Sequence, residues 1–320
     1  MDLITINLKI INPSSMPNHL VVIAGPTAVG KTALSIEIAK HFKTAIISAD
    51  SRQFFKEISI GTAKPSKKEL EACSHQLIGH ISIKDIYTAA QFEQDALQCC
   101  EQLFKQHAII ILTGGSGLYI DALCKGFDEA PHADVAIRNE LEEQYKQKGI
   151  ELLQQTIKVL DPEYAQIVDI HNPQRLMRAI EMIRVSGKKM NELRTGVPKK
   201  RAFNIIKICL SSNREALYDG INKRVDKMIA NNLEDEALAF YHLKHLNALQ
   251  TVGYKEFFDY FEGKLSHAET VEKIKQNTRN YAKRQLTWFR RDKSYQWFEL
   301  PQEKKLIIPY IEQQLSLQKQ

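Results

Sequence analysis

The sequence predicts an α/β fold, a parallel sheet flanked by helices and interrupted by an inserted all-helical domain. Three observations carry that prediction. The apolar run 20–24 leads into Gly25-Pro26-Thr27-Ala28-Val29-Gly30-Lys31-Thr32 and then a helical pattern at 33–40, giving strand, glycine loop and helix in order. Further apolar runs at 44–49 and 108–112 are separated by helix-length stretches, as in linked βαβ units. Strand character then vanishes from about residue 125 to 201 and returns at 203–210. The expected division is therefore a core of residues 1–124 and 202–320, with a helical insertion at 125–201. The spacing G-x-x-x-x-G-K-T makes the core P-loop NTPase-like.

After the glycine loop and its helix, the second strand, 44–49, ends in Asp50-Ser51-Arg52-Gln53. Residues 61–65 read as a polar loop. A helix is expected from 87 to about 106, with Thr88 or Asp85 placed to cap it. The third strand, 108–112, runs into a glycine-rich turn, Gly114-Gly115-Ser116-Gly117. Within the insertion, one helix closes at Gly149, another stops before Asp161-Pro162, and Asn172-Pro173 is an N-cap with first-turn proline for a helix ending at Gly187. The remainder is read as helices over 214–231, 233–243, 253–262 and 266–291, then a short strand at 295–300 and a tail helix.

Composition narrows the function classes. With 43% apolar and 26% charged residues, the chain is an ordinary globular one and not a disordered or membrane-spanning one. No apolar run approaches the roughly 18 residues of a membrane span. Residues 1–19 lack a basic n-region and a small-residue cleavage site, so no signal peptide is expected there. The five cysteines form neither a C-x-x-C pair nor a zinc-finger pattern, which fits reduced thiols in a cytoplasmic protein. Forty-four basic against 38 acidic residues give +6, a bias toward polyanionic partners. A monomer without membrane contact is expected.

The glycine loop supplies main-chain N–H groups and a helix N-terminus to an oxyanion, Lys31 a cation, and Thr32 a hydroxyl suited to a phosphate-bound Mg²⁺. The loop does not choose between a diphosphate and a triphosphate. Asp50, at the carboxyl end of a parallel strand, belongs beside the loop, where it can take a proton or steer a metal; capping the next turn is the plainer alternative. The third strand ends in Thr113-Gly114 where a nucleotide hydrolase usually has an acid, which counts against ATP hydrolysis. Residues 185–201 carry six basic side chains against Glu192, and 271–297 carry eight against Glu272 and Asp292. In the second stretch Ile274, Tyr281 and Trp288 recur every seven residues, a buried stripe beneath a basic face. Arg175 and Arg178 share one face of the capped helix. A solvated surface would explain any one of these; together, beside a loop with no acidic partner strand, they point to RNA phosphates.

The chain resembles the bacterial tRNA isopentenyltransferase family over about residues 20–298. The resemblance rests on GPTAVGKT at 25–32, SADSRQ at 48–53, IGTAKP at 60–65, YTAAQF at 87–92 and GGSGLY at 114–119. It continues through NPQRLMRAIE at 172–181, VGYKE at 252–256 and TRNYAKRQLTWFRR at 278–291. It implies transfer of a dimethylallyl group from dimethylallyl diphosphate to N6 of adenosine 37 in the tRNA anticodon stem-loop. Asp50 would be the base. Gly25, Thr27, Ala28, Val29, Gly30, Lys31 and Thr32 would cradle the diphosphate, with Thr32 near Mg²⁺ and Arg224 supporting the leaving group. Implied tRNA contacts are Asp50, Ser51, Arg52, Gln53, Ser116, Arg138, Gln174, Arg175, Leu176, Met177, Arg178, Gly253, Lys255, Arg279, Lys283 and Arg284. Ser116 stands where the family usually has Thr, and Gly220 where some relatives have a second Arg. Two other readings stay open, transfer to free adenine nucleotides and a small-molecule P-loop kinase.

Overall fold

The structure is a computed structural model that describes residues 17–128 and 134–317. Its strands are β1 (His19–Ala24), β2 (Ile46–Ser48), β3 (His75–Gln76), β4 (Ile109–Gly114), β5 (Asn204–Ser211) and β6 (Gln296–Glu299). They form a single sheet in the order β3-β2-β4-β1-β5-β6, and every pairing is parallel. The run 20–24 is apolar throughout because β1 lies in the middle of the sheet with both faces covered, and all six of its residues are buried. Ala24 is in register with Gly114 of β4 on one side and Cys209 of β5 on the other. The glycine loop therefore leaves from the centre of the sheet's carboxyl edge.

Helix Lys31–Phe42 packs Ile38 and Ala39 into a core with Val21, Ile23, Ile111 and Ile208. A second apolar cluster gathers Val225 of helix Arg214–Ala230, Tyr254 and Phe257 of helix Tyr254–Phe261, and Ile274 of helix His267–Phe289. The last of these starts at Ser266, whose hydroxyl accepts from the Glu269 N–H while the Glu269 carboxylate accepts from the Ser266 N–H. Helix Ala89–Leu103 is closed by the same device at Thr88 and Gln91.

The chain divides into two compact units, Met1–Cys124 with Arg201–Gln320, and Lys125–Lys200. Arg201 belongs with the sheet, one residue earlier than the expected boundary. Its guanidinium meets Glu93 at 2.7 Å and donates to the Leu123 carbonyl at 2.8 Å. The second unit is helical, with Leu141, Leu153, Ile157, Leu176, Met177 and Ile180 at its centre. Asp161, 1% exposed, accepts from the N–H groups of Tyr164 and Met190 and so caps one helix while fixing the start of another.

Four elements differ from expectation. Strand β3 is two polar residues long, too short for any periodicity. Helix Lys67–Ala72 follows the expected loop and buries no residue, so it has no apolar stripe to announce it. The turn at 114–117 continues directly into helix Gly117–Lys125. The helix at 233 stops at Ala239 and the chain goes on as a short 3₁₀ turn, Tyr241–Leu243.

Candidate active site

At the carboxyl edge the loop takes positive φ at Gly25, Ala28 and Gly30, a backbone that glycine adopts freely and that Ala28 holds against its side chain's preference. Gly25 has no room for a side chain, since an added Cβ would stand 2.8 Å from the Leu210 carbonyl oxygen of β5. Lys31 opens the following helix and folds back across the loop, donating to the carbonyls of Gly25 at 3.0 Å and Pro26 at 2.7 Å. Burial pulls its ammonium down to about 8, partly offset by Asp50 and reinforced by Arg224. Arg224 is likewise lowered by burial and drawn back up by Asp50. Two cations short of solvent, each drawn toward the same carboxylate, make a strong site for an anion.

Asp50 follows β2. One carboxylate oxygen, Oδ1, accepts from the Arg52 N–H at 3.0 Å, which holds the side chain toward the loop. Its neighbour strand closes in tightly: a Cβ on Gly114 would lie 2.4 Å from the Ala49 carbonyl oxygen. The end of β4, where a hydrolase carries its acid, is taken up by other contacts. Thr113 Oγ1 accepts from Ser35 at 2.8 Å and donates to the Ile23 carbonyl.

Thr27, Ala28, Gly30, Lys31, Thr32, Asp50, Ser51, Arg52, Gln53 and Arg224 line a cavity of about 750 Å³, together with Gly253, Lys255 and Arg284. That is more room than phosphates need, and enough for a nucleobase and an apolar chain as well. Of the remaining expected residues, Gly25 and Val29 support the loop from behind; Val29 packs into the core, so only its main chain can face a ligand. Ser116 stands behind Ser51, accepting from its N–H and donating to its hydroxyl, both at 3.0 Å. Arg279 binds Asn222 at 2.8 Å and lies 5.9 Å from the Tyr218 ring centre, and Lys283 is exposed one turn further on. Gly220 faces the loop: a Cβ there would be 3.4 Å from the Ala28 carbonyl oxygen.

In the helical unit, Gln174 and Arg175 are exposed at the start of helix Pro173–Ser186. Arg138 bonds Gln174 and Glu142, and Arg178 pairs at 3.2 Å with Glu181, a carboxylate 2% exposed. Leu176 and Met177 correct the expectation. They are 0% and 1% exposed within the unit's core, so their side chains are not available to RNA. The i, i+3 arrangement that puts Arg175 and Arg178 outward turns the two apolar residues between them inward.

Sequence reasoning missed several residues that line or support the cavity. Gln285 bridges the loop and the Gly115 carbonyl. Tyr281, expected in a buried stripe, opens into the cavity, while Trp288 donates to Asp121 at 2.9 Å. Glu256 accepts from the Gly253 N–H at 2.7 Å and from Asn277 at 2.6 Å, shaping the rim. Glu236 accepts from the N–H groups of Ser59, Ile60 and Gly61, which fixes the loop whose carbonyls at Thr62 and Ala63 hold Gln53. Among the described residues no three His, Cys, Asp or Glu side chains converge as a metal site. A cation here would be held by phosphate oxygens with the Thr32 hydroxyl, hard oxygen donors that suit Mg²⁺.

A glycine loop of this form at the carboxyl edge of a parallel sheet marks the P-loop class of phosphate-binding proteins. The family model described as IPP transferase matches residues 53–292, and the chain belongs to that family. It is 50% identical over 301 residues to the tRNA dimethylallyltransferase of Christiangramia forsetii, covering 94% of this chain and 100% of the relative. The corresponding protein of Flavobacterium johnsoniae is 47% identical over 304 residues, covering 93% and 98%. Among solved structures, the full-length tRNA isopentenylpyrophosphate transferase of Bacillus halodurans superposes with a TM-score of 0.70 at 34% identity, covering 94% of this chain and 98% of its own. A eukaryotic dimethylallyltransferase acting on tRNA superposes at 0.74 with 25% identity, covering 88% and 74%.

Proposed function

We propose that the protein transfers the dimethylallyl group of dimethylallyl diphosphate to tRNA, at N6 of adenosine 37 beside the anticodon. The observation that carries this reading is one cavity shared by the phosphate loop, Asp50, Arg224 and a basic rim that includes Lys255 and Arg284. A small-molecule kinase needs no such rim, and the acid it would carry at the end of this strand is replaced here by Thr113 and Gly114.

In the reaction the N6–carbon bond forms, the carbon–oxygen bond to the diphosphate breaks, and the N6 proton goes to Asp50. The diphosphate leaves into the loop amides, Lys31 and Arg224, preorganised charges that favour the separating anion. When bound, Mg²⁺ would neutralise further phosphate charge beside Thr32. The adenine must leave the anticodon stack, at a few kcal/mol, and enter the cavity near Asp50 and Tyr281. The exposed Gln174 and Arg175 of the helical unit, with Arg279, Lys283 and Arg284, would hold the RNA backbone. The enzyme acts as a cytoplasmic monomer in this reading.

Purified protein incubated with labelled dimethylallyl diphosphate, Mg²⁺ and total tRNA should place label in the RNA at an adenosine 3′ to the anticodon. Label appearing in free adenine nucleotides, with none in tRNA, would contradict the proposal.

A further inference from the structure

Gln285 sits between two exposed or cavity-facing cations of helix His267–Phe289 and the phosphate loop, yet it is itself only 6% exposed. Its Oε1 accepts from the Thr27 N–H at 2.9 Å, and its Nε2 donates to the Gly115 carbonyl at 2.9 Å. The partners are 258 and 170 residues away in sequence. The space is shaped for it: a Cβ on Gly115 would come within 2.2 Å of Gln285 Nε2. The amide is fixed in orientation too, because its acceptor must face an N–H and its donor a carbonyl.

Thr27 is the third residue of the loop. Gly30, Lys31 and Thr32 lie at the helix start, where the diphosphate reading puts the first phosphate group, and Thr27 lies toward the loop's other end, beside Gln285. An amide already donating to a protein carbonyl oxygen is not open to a phosphate oxygen, and the side chain that takes it fills the space beside it. We propose that Gln285 is a specificity-determining residue of the loop, closing its far rim so that the cradle accepts two linked phosphate groups and excludes a third. This rests on the reading of the loop as a diphosphate site. It gives a physical reason for a nucleotide-type loop to decline nucleoside triphosphates. The same helix presents Lys283 and Arg284 next to Gln285, so the element that offers charge to RNA also sets the length of the cradle.

Inorganic pyrophosphate and inorganic tripolyphosphate, each with Mg²⁺, test this without turnover. Calorimetric titration of the wild-type protein should give tighter binding of pyrophosphate. Gln285→Ala frees the Thr27 amide and the space beside it, and should shift the affinity ratio toward tripolyphosphate by roughly tenfold, the worth of one hydrogen bond to a charged acceptor. Gln285→Glu keeps an acceptor for Thr27 but adds negative charge, and should shift the ratio the other way. The two opposite shifts separate selectivity from support, since a purely structural glutamine would weaken both ligands alike; thermal melts report folding, and either variant suffices if the other is unfolded. An unchanged ratio in folded variants overturns the inference alone. A wild-type protein that binds neither probe overturns the diphosphate reading and the inference with it.

Discussion

Asp50 and Lys31 divide the chemistry of the site between a carboxylate anchored by a main-chain N–H and an ammonium short of solvent. Asp50→Asn keeps the oxygen that accepts from Arg52 and removes only the basicity. Its kcat should fall by about 10² or more with little change in KM for the diphosphate. A single-turnover rate near that of the wild type would take Asp50 out of the reaction. Lys31 makes a pH prediction. Its folded value of about 8 lies below the ordinary 10.5. Between those values the unfolded chain binds more protons, so the unliganded protein should gain stability as pH rises through that window. Diphosphate favours the ammonium, so affinity should fall as pH rises through 8, and binding above pH 8 should take up a proton. Titrations in two buffers of different ionisation enthalpy would detect that proton; an affinity flat from pH 7 to 9.5 would contradict the assignment.

At the scale of elements, the carboxyl ends of β2 and β4 set where Asp50 points. Gly114 is glycine because the Ala49 carbonyl lies against it. Gly114→Ala should cost about 3 kcal/mol, since backbone rather than a mobile side chain must yield. It should also lower kcat by displacing the residue next to Ala49, and denaturant melts with single-turnover rates would measure both. The elements that sequence predicted best were those with a local cause: β1 with its uninterrupted apolar run, and helices announced by Thr88 and Asn172. Ser66 and Glu69 form the same capping pattern at a helix the reading left unassigned, so that signal was present. The loop and Asp50 were legible because their residue types and strand-end positions carry chemistry, whereas Arg224, inside helix Arg214–Ala230, was reached through the family resemblance. Gln285, Glu236 and Glu256 were not, because a polar residue on a helix looks the same in sequence whether it meets water or a loop 258 residues away. Leu176 and Met177 came in through a motif that mixes surface and core positions, and their side chains are buried.

For the whole molecule, a charge of +6 and the basic residues of helix His267–Phe289 predict tRNA affinity that falls steeply with salt. Replacing Lys283 and Arg284 by alanine should lower the slope of log K against log salt by about 1.4 to 1.8, two phosphate contacts' worth. An unchanged slope in the folded variant would move the RNA to another face. The central claim is that a nucleotide-type loop serves a carbon–oxygen cleavage. It is tested most directly by the inorganic product of a reaction containing only the protein, Mg²⁺, tRNA and dimethylallyl diphosphate. The account predicts one pyrophosphate released for each dimethylallyl group found on tRNA, at a rate that added ATP does not raise. Orthophosphate in step with product, or turnover only when ATP is supplied, would contradict it.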